Sequence, residues 1–411
     1  MPYSTQRRNT SGSSRGSSPR AYHASPSRSG GGRSSSGRGK FSKQYINPSR
    51  FIKAAQPAAD VVEYVSTHKF ADFEINPMLK ENIIKKGYVT PSPIQDQTIP
   101  QGLAGHDIIG IANTGTGKTA AFALPTLHKL MEDRTAKALI IAPTRELAQQ
   151  IDDECRSIAK GSGLSGAVLI GGSPMGPQLR DLRGNPSIVI GTPGRIKDHM
   201  ERGTLQLQEF NIVTLDEVDR MLDMGFINDI RFILDSLAPV RQSFFFSATM
   251  EPKIKELIHT FLKDPITVSV KTGDTSDSVE QDVVEYRDST DKLEKLHEIL
   301  IKDHVGKTLV FDETQRSVER LAKTLQDRGF KVDSIHGGKT QGQRSRALKQ
   351  FKDSKLDVLV ATDVAARGID ISDITHVINY TTPQSYEDYV HRIGRAGRAG
   401  RTGYALTFVG R

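Results

Sequence analysis

Three stretches of the chain hold residue types whose spacing could do chemistry on a phosphate ester. ANTGTGKT runs from Ala112 to Thr119, after the apolar run Ile108–Ile111 and before a helical run that opens at Ala120. That is the strand–loop–helix setting in which backbone amides and a helix N-terminus cradle phosphate. Thr114, Gly115, Thr116 and Gly117 would wrap the phosphates. Lys118 would reach the outer two, and the Thr119 hydroxyl would bind Mg²⁺. Ala112 stands where the strict pattern has its first glycine. DEVD, Asp216 to Asp219, follows the apolar run Ile212–Leu215. Asp216 should therefore emerge at the carboxyl end of a buried strand, where open parallel sheets bind ligands. It would hold Mg²⁺, largely through water, while Glu217 takes a proton from an attacking water. Adjacent acids alone are usually solvated surface; the strand before them and the loop upstream give this pair its meaning. HRIGRAGR, His391 to Arg398, interleaves one His and three Arg with two Gly. It supplies the positive charge that phosphoryl transfer needs, where the bland alternative is a basic surface face.

These residues need a scaffold, and the pattern supplies one. Ile108–Ile111, Ala138–Ala142, Ala167–Ile170, Ile188–Ile190, Ile212–Leu215 and Phe244–Phe246 read as buried strands, with helices at Ile151–Ala159 and Ile254–Leu262. Strand–helix alternation implies a parallel sheet covered on both faces. The pattern stops near Val270, and residues 271–281 read as a polar linker. A second alternation follows, with helical spacing at Leu293, Leu296 and Leu300 and again at Val318, Leu321, Ala322 and Leu325. Its strands read at Thr308–Phe311, Val358–Val360, His376–Ile378 and Ala405–Phe408. The expectation is two α/β domains in tandem, 68–270 and 282–411, with no accessory domain after the last strand.

The charge is unevenly placed. Residues 1–50 hold ten Lys or Arg and no acid, so the rest of the chain sums to −2 against +8 overall. Residues 1–44 are Ser, Gly and Arg with almost nothing apolar, which predicts disorder. Their SRG, GRS and GRG repeats suit loose RNA binding through phosphate charge and Arg stacking, against the alternatives of a solubilising tail or a transit peptide. Residues 45–67, with Tyr45, Ile46, Phe51, Ile52, Val61, Val62, Tyr64 and Val65, are too apolar for linker and are expected to dock as a short helix. Hydrophobic residues make up 36% of the chain and no run approaches a membrane span, so a soluble protein is expected. Cys155 is the only cysteine, which excludes an internal disulfide and a Cys-rich zinc site. Its spacing with Leu147, Ile151 and Ile158 reads as a core thiol.

Five further motifs stand in order with these three: GYVTPSPIQ (Gly87 to Gln95), PTRELA (Pro143 to Ala148), TPGR (Thr192 to Arg195), SAT (Ser247 to Thr249) and ATDVAARGID (Ala361 to Asp370). Together the eight resemble one family, the DEAD-box ATP-dependent RNA helicases of superfamily 2, with DEVD in place of DEAD. The likeness covers roughly residues 68–411, Phe70 being its first matching residue.

The resemblance implies two recA-like domains. It places ATP on Phe70, Gln95, Gly368, Asp370, Arg395 and Arg398 as well as the phosphate loop and Asp216, with Gln95 reading the adenine edge. It makes Arg395 and Arg398 arginine fingers, so that Lys118, Glu217, Arg395 and Arg398 form the catalytic set. Asp219, Ser247, Thr249 and His391 would couple nucleotide state to RNA, the Ser247 and Thr249 hydroxyls bonding to the acidic motif. RNA contacts fall on Pro143, Thr144, Arg145, Gly172, Thr192, Pro193, Gly194, Arg195, Gln341, Arg344, Thr362 and Arg367, groups that hold the backbone without reading sequence. Family patterns usually have Ala at Val218 and Thr at Ser92; tighter packing with retained activity is expected at Val218. The implied activity is RNA clamping with local, non-processive unwinding of short duplexes by a monomer, and the single cysteine with no secretory signal favours the cytoplasm. An ATP-gated RNA clamp or scaffold, and a DNA helicase of the same superfamily, are the alternatives.

Overall fold

Short apolar runs separated by amphipathic helices fold here into two parallel sheets in series. The computed structural model describes residues 46–54, 64–113, 115–270, 278–302, 304–366, 371, 373–397 and 401–411. The tail 1–44, Thr114, Arg367, Gly368, Asp370, Arg398, residues 271–277 of the linker and residues 45 and 55–63 of the apolar extension lie outside them. Among the described residues no helix is long and apolar enough to cross a membrane.

The first sheet holds β1 (Ile108–Ile111), β2 (Ala138–Ile141), β3 (Gly166–Leu169), β4 (Ile188–Gly191), β5 (Ile212–Leu215), β6 (Gln242–Ser247) and β7 (Ile266–Ser269). Their order across the sheet is β3-β4-β2-β5-β6-β1-β7, every pair parallel. Each connection carries a helix, as parallel pairing requires. Burial on both faces explains the Phe244–Phe245–Phe246 run. Phe244 and Phe246 enter one core cluster with Phe122, while Phe245 enters the other with Leu215 and Val218. Gly110 is needed beside them, since a Cβ there would lie 2.3 Å from the Phe246 ring. Cys155 is 3% exposed in the same core, and burial pushes its thiol up, away from reactivity.

The second sheet holds β8 (Val279–Tyr286), β9 (Thr308–Phe311), β10 (Val332–Ile335), β11 (Val358–Ala361), β12 (His376–Asn379) and β13 (Gly403–Gly410). The order is β10-β11-β9-β12-β13-β8, again all parallel. Strand β8 begins inside the stretch read as linker and pairs with β13 along its whole length. The linker reading is thus corrected at its C-terminal end: Val279 and Gln281 face inward and alternate with polar residues, a half-buried edge pattern.

Parallel pairing puts all the carboxyl ends at one edge, and the motifs follow. The Ala112 N–H bonds to the Ser247 carbonyl at 3.0 Å, Asp216 N–H to Ile141 at 3.0 Å and Thr192 N–H to Leu169 at 3.0 Å. The phosphate loop, the acidic pair, SAT and TPGR therefore leave neighbouring strands together.

Candidate active site

The phosphate loop turns on two glycines in the left-handed region, Gly115 at φ 86° and Gly117 at φ 91°. Gly117 caps the helix Lys118–Glu132. A Cβ at Gly117 would also lie 2.3 Å from Nε2 of Gln95. Ala112 needs no such freedom: it is buried and absent from the left-handed residues, so its methyl is tolerated where the strict pattern asks for glycine. Lys118 donates to the Ala112 carbonyl at 3.0 Å, which folds its ammonium back over the loop.

Gln95 braces that loop. Its Oε1 accepts the Ser92 N–H at 2.9 Å, and its Nε2 donates to the Gly117 carbonyl at 3.0 Å. Ser92 in turn donates to the Thr116 carbonyl at 2.7 Å. A primary amide has two donors and two acceptor positions, so each end retains one for a further partner. Phe70, which the resemblance places at the ATP site, lies in the core of the first domain. It is 1% exposed, with its ring edge-on to Tyr88 at 5.0 Å and to Phe73 at 5.7 Å. It anchors its segment in the core.

Asp216 and Glu217 are both buried. Burial pushes the Asp216 carboxyl up to about 6, against the pull of the Lys118 charge. For Glu217 burial acts in the same upward direction, but Arg220, Lys118, Arg395 and His391 together outweigh it and hold the carboxyl below its ordinary range. Glu217 is thus ionised at neutral pH beside an acid that is proton-sensitive. Its backbone is left-handed, φ 54° and ψ 55°. That conformation costs a side-chain-bearing residue roughly 1–2 kcal/mol and turns the carboxylate out of the strand direction. Arg220 lies 3.4 Å from its Oε2, a partner that sequence reading passes over. The basic charges from the second domain reach this carboxylate from the helix Tyr386–Ile393 and the turn after it, where Arg395 is 2% exposed. Arg392 has a different duty: it forks onto Asp363 at 2.6 and 2.7 Å and donates to the Thr381 carbonyl at 2.7 Å, fixing that helix to its own domain.

Among the described residues no three or more His, Cys, Asp or Glu gather into a metal cage. The donors offered are one proton-sensitive carboxylate, Asp216, and the Thr119 hydroxyl. That sparse oxygen set fits Mg²⁺, which keeps water and takes its other ligands from phosphate.

Asp219 links the acidic motif to SAT, though not through both hydroxyls. Its Oδ2 accepts the N–H of Ala248 at 2.8 Å and of Thr249 at 3.1 Å, with the Thr249 hydroxyl at 3.5 Å. The Ser247 hydroxyl is buried without a partner among the described residues, which corrects the expectation that it bonds to the acidic motif. Val218 is fully buried beside Met221 and Leu215, so its extra methyls fill core rather than site.

On the same edge, the ends of β2, β3 and β4 bring together Pro143–Arg145, Gly172 and Thr192–Arg195. Thr144 caps the helix Arg145–Ile158 by accepting the Leu147 N–H at 3.2 Å. Gly172, at φ 74°, admits the Arg145 guanidinium where any Cβ would lie 2.1 Å from it. Arg195 donates to the Ser173 carbonyl at 3.2 Å. Thr192, Pro193 and Gly194 open the helix Pro193–Glu201. In the second domain, Thr362 leaves β11 ahead of the short helix Asp363–Ala366. Gln341 and Arg344 turn toward the first domain. Arg344 pairs with Glu146 at 2.7 Å, their side chains 7% and 1% exposed, and Gln341 donates to Gln149 at 3.0 Å. Glu146 and Gln149 stand one helical turn apart, which is the only sign of this contact in the sequence.

The DEAD/DEAH box helicase model matches residues 92–257, and the helicase conserved C-terminal domain model matches residues 291–400. The chain is 45% identical over 343 residues to the ATP-dependent RNA helicase CshA of Listeria monocytogenes, covering 83% of this chain and 66% of that one. It is 45% identical over 345 residues to the DEAD-box ATP-dependent RNA helicase CshA of Bacillus subtilis, covering 84% and 70%. The chain therefore spans about two thirds of the length of these relatives. Its structure is similar to that of S. cerevisiae Dbp5 bound to RNA and ADP BeF3, with a TM-score of 0.74 and 30% identity, over 83% of this chain and 89% of that one.

Proposed function

Because the chain belongs to the DEAD-box family of ATP-dependent RNA helicases, we propose that it couples ATP binding and hydrolysis to the clamping of single-stranded RNA and to local, non-processive unwinding of short duplexes. One observation supports this reading most: the Glu217 carboxylate takes its charge from both domains, from Lys118 and Arg220 on one side and Arg395 and His391 on the other. A hydrolytic site of that kind is complete only with the cleft closed, which makes turnover conditional on whatever closes it.

In this reading the amides of the phosphate loop and the Lys118 ammonium bind the phosphates, and Gln95 uses its remaining hydrogen-bond positions on the adenine edge. Thr119 and Asp216 would hold Mg²⁺, which would supply positive charge beside the phosphates. Glu217 orients the attacking water and accepts its proton. Arg395, with Arg398, faces the charge that spreads over the transferring group. Asp219 reports the nucleotide state to Ala248 and Thr249. RNA lies along Pro143–Arg145, Gly172 and Thr192–Arg195, held by backbone amides and hydroxyls that position a strand without reading it. The Arg344–Glu146 pair and the Gln341–Gln149 bond latch the two domains while the strand is bound. Residues 1–44 add affinity for RNA by charge, the working unit is a monomer, and a lone buried thiol suits the reducing cytoplasm.

The test is steady-state ATPase with no polymer, with RNA and with DNA of the same sequence, beside separation of a short RNA duplex. Stimulation by RNA over DNA, with strand separation that needs ATP, is the expected result. Equal stimulation by DNA would replace the substrate, and RNA-dependent ATPase without separation would leave a clamp.

A further inference from the structure

Residues 46–54 contribute nothing to the chemistry above, yet the second domain packs around them. Ile46 and Phe51 are buried, Phe51 completely, in a cluster with Val279, Tyr389, Ile393 and Ala405. The Phe51 ring lies 4.7 Å from that of Tyr389, and the Arg50 guanidinium stacks over Tyr386 at 3.9 Å. Asn47 caps the turn Pro48–Phe51 by accepting the Ser49 N–H at 3.1 Å. Beyond the turn, Lys53 and Gln281 exchange backbone hydrogen bonds of 3.0 and 2.8 Å, so the segment adds an antiparallel bridge to the open edge of β8. Gln281 also accepts the Tyr389 hydroxyl at 2.9 Å.

The ring of Phe51, the guanidinium of Arg50 and the amide of Gln281 all meet one helix. Tyr386, Tyr389 and Ile393 form a single face of Tyr386–Ile393 at i, i+3 and i+7. His391 stands two residues from Tyr389 and so projects from the opposite face, the one turned toward Glu217. Arg395 follows in the turn that ends the helix. A helix of eight residues has little stability of its own, so packing sets its orientation. Arg392 fixes it from the sheet side, and Phe51 and Arg50 back it from behind.

We propose that residues 46–54 are a brace for the finger helix, and that Phe51 is a positioning residue for hydrolysis, acting through Tyr389 on His391 and Arg395. This rests on Arg395 being the finger. The brace is built from the N-terminal side of the first domain yet belongs structurally to the second. It leaves nucleotide affinity without RNA largely unchanged, because Gln95, Lys118, Thr119 and Asp216, the main contacts with the cleft open, all lie on the first domain.

The experiment compares RNA-stimulated ATPase, nucleotide affinity without RNA, and melting temperature for Phe51→Ala, Phe51→Leu, Arg50→Ala and Arg395→Ala in the full chain. Misplacing a catalytic group by about an ångström can cost up to ~10²-fold, so kcat of Phe51→Ala should fall roughly 10-fold or more at unchanged nucleotide affinity. Phe51→Leu, which restores apolar bulk, should recover most of it. Arg50 is exposed, so Arg50→Ala should lower kcat about 2–3-fold without moving the melting temperature. Wild-type kcat in folded Phe51→Ala, or a parallel loss of kcat and nucleotide affinity tracking the folded fraction, would overturn the brace. If Phe51→Ala does not fold, Arg50→Ala decides, and wild-type kcat there overturns it. Arg395→Ala keeps the two readings apart: full turnover in that variant removes the finger itself, whereas a dead Arg395→Ala beside an active Phe51→Ala removes only the brace.

Discussion

Glu217 occupies a backbone conformation that side chains rarely enter, and it does so under the pull of Arg220, Lys118 and Arg395. Glu217→Gln keeps the shape and removes the proton acceptor. Hydrolysis should be nearly abolished while ATP affinity stays within a few-fold; turnover near wild type would remove Glu217 from the role of base. Its neighbour gives the opposite signature. Burial pushes the Asp216 carboxyl up to about 6 in the folded chain, above the ordinary range of an aspartate. The folded state therefore gains protons first, and this advantage, complete below about pH 4, is lost as pH rises through about 6. Asp216→Asn should raise the melting temperature of the nucleotide-free protein at pH 7, and the gain should shrink as pH falls from 6 to 4. The same variant should weaken Mg²⁺–ATP binding, and in the wild type that binding should fall below about pH 6 as protons compete for the carboxylate. A melting gain that does not depend on pH would show that Asp216 carries no desolvated charge.

At the scale of elements, the helix Arg145–Ile158 meets the helix Gln341–Lys352 through a buried ion pair, Glu146 with Arg344. Removing one partner of such a pair strands the other, at a cost of about 3–5 kcal/mol when both are fully enclosed. Glu146→Gln and Arg344→Met should each weaken RNA binding in the presence of a non-hydrolysable ATP analogue, and the double variant should be less impaired than the sum. Additive losses in that cycle would mean that the two side chains do not meet in the working state. Element position also decides what a sequence discloses. Strands β1, β5 and β9 are interior, apolar on both faces, and legible to the residue as Ile108–Ile111, Ile212–Leu215 and Thr308–Phe311. The three that pattern reading passes over, β7, β8 and β10, all lie at sheet edges, where one face is wet or a buried residue is polar, as Ser334 is. Edge strand β3 is legible but shifted by one residue. The site divides in the same way. Residues held by one loop, such as Lys118 and Asp216, stand in the structure where their motifs put them. Phe70, Arg344 and Arg220 depend on what packs against them from elsewhere, which no local motif encodes.

For the whole molecule, positive charge is concentrated in the N-terminal tail. Residues 1–44 carry nine Lys or Arg and no acid. Their deletion should spare RNA-stimulated ATPase, weaken RNA affinity at low salt, and flatten the log-affinity against log-salt slope by roughly 0.7 for each phosphate the tail had neutralised. An unchanged slope would mean that the tail does not touch RNA. The braced edge has a consequence of another kind, for the order in which the chain acquires its structure. Strand β8 pairs with β13, so among the described strands the first strand of the second domain has no partner in its own sheet until residues 403–410 exist. The surface that receives Phe51 is made of Val279, Tyr389, Ile393 and Ala405, all more than two hundred positions later in the chain. Phe51 thus leaves the ribosome early and docks late. In between, a wholly apolar side chain and an unpaired strand edge wait in solution together, and it is the completed C-terminal domain that ends the exposure.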